Sequence, residues 1–176
     1  MNKYLYQMKK LIALLIVLTL SGCKSMMENQ TVSKTNINST LDAWHKAAAD
    51  ANYNAYFALM ADDAVFIGTD ATENWNKNAF QVWAKPFFDK GKAWSFTALE
   101  RHIYFDETGK TAWFDELLDT QMKICRGSGV LVKIGKEWQI KHYVLSMTIP
   151  NDNLNEVIKV KASIEDAMIK TLKSKQ

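Results

Sequence analysis

Three histidines, His45, His102 and His142, are the side chains best suited to moving a proton near neutral pH. Of these, His142 lies in a segment whose residues alternate between apolar and polar. If Gln139 and Lys141 face water, then Trp138, Ile140, His142, Val144 and Ser146 face the interior of a sheet. An outward Lys133 in the segment before sends Val132, Val130, Ser128 and Arg126 inward. Outward Thr111 and Asp119 leave Ala112, Phe114, Glu116 and Leu118 inside. This parity brings Glu116, Arg126 and His142 together among apolar walls from Trp44, Tyr56, Phe66, Trp83 and Phe114. His142 can then act as a general base with Glu116. A one-residue slip or a bulge exchanges Glu116 for Asp115 and His142 for Tyr143. An inward Arg126 needs a carboxylate, because a desolvated charge is costly unless paired. Glu116 can close that ion pair, or the guanidinium can anchor the polar head of a ligand in bidentate fashion. His45 and His102 are expected to be partly exposed.

Other chemistries find little support. The chain has no CxxC or HExxH, and its scattered histidines do not make a zinc site. Asp62-Asp63 reads as the beginning of the turn into a strand, and no metal is expected. Gly127-Ser-Gly129 is too short for a phosphate loop, so no cofactor is expected. Cys125, alone in an apolar strand, reads as a small packed side chain.

The elements that would position these groups follow from periodicity. The 176 residues, 48% apolar and 23% charged, suit one single-core domain. Leu41, Trp44, Ala48 and Ala51 recur at helical spacing after a cap at Ser39 or Thr40. A second short helix spans 53–60, a strand 64–67, and a third helix about 76–89, which Pro86 should bend or end. From Trp94 the period changes to two. Segments at about 94–105, 111–122, 124–134 and 137–148 read as consecutive antiparallel strands, separated by turn signals such as Asp106-Glu-Thr-Gly109 and Gly135-Lys136. Leu154, Val157, Ile158, Ile164, Met168 and Leu172 form a last amphipathic helix. The expectation is an α+β domain: helices packed on a curved antiparallel sheet, with an apolar cone that leaves a pocket.

The N-terminus carries a different signal. Residues 1–27 contain no acid; three lysines precede an apolar run at 11–20, and Ser21-Gly22-Cys23 follows. The run is shorter than the roughly 20 residues a membrane span needs, and the pattern is that of an export signal. Leu20-Ser21-Gly22-Cys23 resembles the bacterial lipobox, which implies acylation of Cys23 and removal of residues 1–22. Met8 offers an alternative start. Residues 23–36 read as a polar tether, 37–152 as the domain and 153–176 as the terminal helix. Without the three leader lysines the formal charge of +3 falls to zero, which removes the electrostatic case for nucleic acid. Lys24 after the anchor cysteine favours the periplasmic face of the outer membrane over the inner membrane.

Leu41-Asp-Ala-Trp-His45, Asp62-Asp-Ala-Val-Phe-Ile-Gly-Thr-Asp70, Ala112-Trp-Phe-Asp-Glu116, Arg126-Gly-Ser-Gly-Val-Leu131, Trp138-Gln-Ile140 and Ser146 through Asp152 together resemble the SnoaL-like branch of the NTF2-like superfamily. The resemblance implies a cone-shaped fold with an internal cavity, often dimeric. It implies no single chemistry, since relatives include isomerases, dehydratases, epoxide hydrolases and non-catalytic binders. Three functions follow as expectations. The first is an envelope lipoprotein, held to the membrane by lipid on Cys23, that binds a small, mainly apolar molecule. The second is an isomerase, lyase or hydrolase using His142 with Glu116 or Asp115. The third is a non-catalytic homodimer joined through the outer sheet face, where Tyr143, Leu145 and Met147 would point and require a cover.

Overall fold

The structure, a computed structural model, describes residues 7–8 and 30–175. The apolar run at 11–20 and Cys23 lie outside the described residues.

Helix α1 covers residues 30–49. Ile37, Leu41, Trp44 and Ala48 form its inner stripe and are almost completely buried. The helix does not start at Ser39 or Thr40 as expected. The Thr40 hydroxyl instead donates to the Asn36 carbonyl at 3.0 Å, a bond back to the preceding turn made inside a helix. Residues 30–36, expected as tether, are helical, and Ser33 and Ile37 are buried one turn apart.

Asn52 caps the short helix α2 (Tyr53–Ala58) through its side chain, which accepts from the Ala55 N–H at 3.1 Å. Met60, expected in that helix, opens strand β1 (Met60–Ile67). The short strand β2 (Asn74–Asn76) leads into α3 (Lys77–Asp89), whose Asn76 cap accepts from the Ala79 N–H at 2.9 Å. Pro86 does not end α3. Its missing N–H would have bonded the carbonyl of Val82, and Val82 lies on the exposed side of the helix, where water can serve that oxygen.

The period-two region forms β3 (Thr97–Phe105), β4 (Thr111–Thr120), β5 (Lys123–Ile134) and β6 (Glu137–Met147). The six strands make one sheet in the order β2-β1-β6-β5-β4-β3. β3 to β6 are the expected antiparallel meander. β1 joins it parallel to β6 and carries β2 at the edge. The helices α1 to α3 precede the meander, so the sheet's inner face closes on them and the core lies between the two.

Parity on β4 is as expected: Ala112, Phe114, Glu116 and Leu118 are buried. On β5 it is reversed. Cys125 and Leu131 are buried, Gly127 and Gly129 share their face, and Arg126 is exposed. The reason lies at Lys133. It sits opposite Trp138, and its ammonium lies 5.9 Å from the centre of the indole ring, so a lysine stem covers the inner face at the sheet's end. On β6 a bulge changes the count. Leu131 pairs with Ile140 and Val130 with His142, leaving Lys141 as the extra residue, ion-paired to Asp63 of β1. Trp138 and Ile140 face inward before the bulge, and Tyr143 and Leu145 after it. The expected outward placement of Tyr143 and Leu145 is thereby corrected, and neither needs a cover.

After a 3-10 turn at Asn151–Asn153, the last helix α4 (Leu154–Lys173) has an apolar side but buries none of its residues. Among the described residues no helix is long and apolar enough to cross a membrane.

Candidate functional site

Glu116 is the centre of the buried polar chemistry. It stands on β4 facing α1, its side chain fully removed from solvent. Its Oε1 accepts from His45 Nε2 at 2.8 Å and from the Tyr143 hydroxyl at 3.3 Å. Its Oε2 accepts from Arg101 Nε at 2.8 Å, and Arg101 Nη2 lies 2.8 Å from the same oxygen. The outer arm of the guanidinium, Nη1, donates to Asn38 Oδ1 at 3.1 Å and Asp42 Oδ1 at 2.9 Å. Three elements therefore hold one carboxylate: α1 through His45, β3 through Arg101 and β6 through Tyr143. Burial alone would raise the Glu116 carboxyl. The His45 hydrogen bond, the His45 charge and the Arg101 charge outweigh burial and hold the group below its ordinary value. Tyr143 moves the other way: burial first, then the Glu116 charge, pushes its phenol well above the usual range, so it stays a donor.

Gly127 makes room for this contact. A Cβ there would overlap the Tyr143 hydroxyl and come within 3.0 Å of Glu116 Oε1. Gly127-Ser-Gly129 is thus a strand segment over which large side chains fold.

A cavity of about 140 Å³ lies at one end of the cone. Phe66, Trp75, Phe80, Trp83, Trp94 and Phe96 supply its aromatic wall, Met122 and Leu145 add to it, and Thr69, Glu73 and Gln121 are its polar side chains. All of these rings except Phe96 pack on one another in a continuous series. Phe66 and Phe80 are 4.0 Å apart, Trp75 and Trp83 4.7 Å, and Phe80 and Trp94 5.8 Å between centres. Phe96 also packs on His45, at 6.0 Å, and Phe66 on Tyr143, at 5.6 Å. Those two rings stand between the cavity and the Glu116 cluster, and no member of that cluster lines the cavity. A larger hollow, about 340 Å³, lies between the first described turn of α1 and the β3–β4 turn, and it is lined mostly by turn residues and lysines.

The expected site residues disperse. Phe66 and Trp83 line the cavity. Trp44, Tyr56 and Phe114 are core, Trp44 stacked on Tyr56 at 4.8 Å. Glu116 is buried as expected, but its guanidinium partner is Arg101 rather than Arg126, which is exposed. His142 and Tyr143 are consecutive on one strand and point to opposite faces, so His142 cannot pair with Glu116. Asp115 bonds His102 across β3 and β4 at 3.2 Å on the outer face, and is not paired with His142. His45, expected to be partly exposed, is 4% exposed. Among the described residues no group of three or more His, Cys, Asp or Glu is placed to hold a metal, and Cys125 is a buried free thiol.

Two of the missed residues left a signal. His45 follows Leu41 by four positions, on the stripe that was recognised, and Arg101 alternates with Ile103 and Phe105. Trp75, Glu73, Trp94 and Phe96 lie in or beside connections, where no periodicity points inward.

A family model described as a SnoaL-like domain matches residues 37–150. No curated protein matches the chain. Among solved structures, it is similar to an NTF2-like protein from Pseudomonas putida KT2440, at 17% identity and a TM-score of 0.58, over 70% of this chain and 92% of that one. An NTF2-like protein from Cytophaga hutchinsonii ATCC 33406 is 14% identical with a TM-score of 0.55, over 65% of this chain and 98% of that one. A protein with a cystatin-like fold from Nostoc punctiforme PCC 73102 is 11% identical with a TM-score of 0.54, over 65% and 90%.

Proposed function

Because the chain belongs to the SnoaL-like domain family, we propose that it holds a small, mainly apolar molecule in the aromatic cavity, and that lipid on Cys23 keeps it at the periplasmic face of the outer membrane. The cavity carries the reading: six aromatic residues surround a space of about 140 Å³ beside only three polar side chains. An apolar void of roughly this size takes a single ring-sized molecule. Binding is preferred to turnover because the imidazole–carboxylate pair, His45 with Glu116, is sealed beneath Phe96 and Phe66 and is already committed to Arg101 and Tyr143.

Native mass spectrometry of the gently purified protein should find a carried small molecule. Cyclohexanol should shift tryptophan emission in the wild type and less in Phe66→Ala. A protein that carries nothing and whose emission does not respond would overturn the reading. The anchor is tested separately: labelled palmitate should enter the wild type and not Cys23→Ser.

A further inference from the structure

Among the described residues, Glu73 is the one ionisable side chain lining the aromatic cavity, and it is an acid. It lies in the connection between β1 and β2 and is partly buried. Its Oε2 accepts from the Asp70 N–H at 3.2 Å, and no lysine, arginine or histidine pairs with it among the described residues. Gly68 leaves space for the carboxylate, since a Cβ at that position would overlap Oε2. The cavity thus combines a carboxylate without a cation and the indoles of Trp75, Trp83 and Trp94, the rings with the strongest attraction for positive charge.

We propose that the cavity's ligand is a small methylated ammonium ion, held with its methyl groups against the tryptophans and its charge balanced by Glu73. The proposal rests on the small-molecule reading above and narrows it. A metal ion does not suit the site: hard cations require several oxygen ligands, whereas one carboxylate among aromatic walls supplies few. A primary ammonium would forfeit strong hydration for few acceptors. Methylation removes donors, spreads the charge and covers it with carbon, which is the surface that indoles can match. An anionic head group is disfavoured because no cation lines the cavity among the described residues, and Arg126 lies elsewhere on the sheet.

The test compares choline with its uncharged isostere 3,3-dimethyl-1-butanol on the full chain, by calorimetry and tryptophan emission. Choline should bind about ten-fold or more tightly than the alcohol. Glu73→Gln should weaken choline by about ten-fold and leave the alcohol unchanged, with the circular dichroism spectrum intact. Trp83→Leu should weaken choline as well. Vesicles of phosphatidylcholine, compared with vesicles of phosphatidylglycerol, distinguish a lipid head group from a free cation. Retention on the first, or binding of soluble choline alone, each supports the proposal and assigns the source. Equal binding of choline and the alcohol, or a Glu73→Gln protein that binds choline as wild type, overturns the cation while leaving the apolar cavity standing. If neither probe binds and no other apolar molecule does, the small-molecule reading falls too.

Discussion

His45 Nε2 and Glu116 Oε1 lie 2.8 Å apart across 71 residues of chain, so that α1 and β4 meet at a buried imidazole and carboxylate. With Arg101 and Tyr143 on the remaining lone pairs, Glu116 ties one helix to three strands where most of the neighbouring contacts are apolar.

Removing that carboxylate leaves a buried guanidinium and imidazole without their partner. Glu116→Gln should therefore destabilise the domain by about 3 kcal/mol, read from urea unfolding midpoints at neutral pH. Full stability in the variant would show that the cluster contributes nothing net.

Acid should reveal the same group. The folded Glu116 carboxyl is held below its ordinary value, so the unfolded chain binds the proton more readily. Stability from this group is present above about pH 4.3 and is lost as pH falls from there through the lower folded value. The stability curve of Glu116→Gln should be flatter over that window than that of wild type. Identical curves would contradict the placement.

Gly127→Ala should cost about 2 kcal/mol, because the new methyl group overlaps the Tyr143 hydroxyl. Adding Tyr143→Phe to Gly127→Ala removes the atom that overlaps most, leaving the ring carbon at 2.9 Å, and should recover part of the loss. A double variant no better than the sum of the singles would point to another cause.

Tyr56 and Tyr143 should stay silent in an alkaline absorbance titration at pH values where exposed phenols ionise. Burial raises both, and the Glu116 charge raises Tyr143 further. Their ionisation should coincide with unfolding, which circular dichroism can follow in parallel.

Arg126→Ala and His142→Ala should each change stability by less than about 0.5 kcal/mol and leave cavity binding unaltered. Neither residue reaches the Glu116 cluster or lines the cavity. A large effect of either would restore the pairing that alternation alone suggests.

That contrast marks what could be read from residue order. Alternation located β3 to β6 within a few residues, because side-chain period is a property of each strand alone. It also placed Glu116 inside, since β4 contains no irregularity in its pairing to β5. Alternation gave Glu116 the wrong partners, Arg126 and His142, for two separate reasons. Lys133 looks like a solvent-facing residue and is one whose stem lies on an indole, which inverted β5. Lys141 is an uncounted residue, which inverted the second half of β6. The parallel joining of β1 to β6 and the aromatic wall around Trp75 and Trp94 depend on how connections fold back, and local pattern carries little of that.

The bulge at Lys141 makes the identity of the interior depend on arithmetic. Pairing Lys141 into the ladder, with no residue removed, would do more than erase a local irregularity: it would transpose the positions downstream of it in β6, sending the phenol of Tyr143 into water and an imidazole toward the carboxylate it now backs away from. The same amino acids would then spell a different chamber, which makes one residue left out of the ladder as consequential as any side chain the chamber contains.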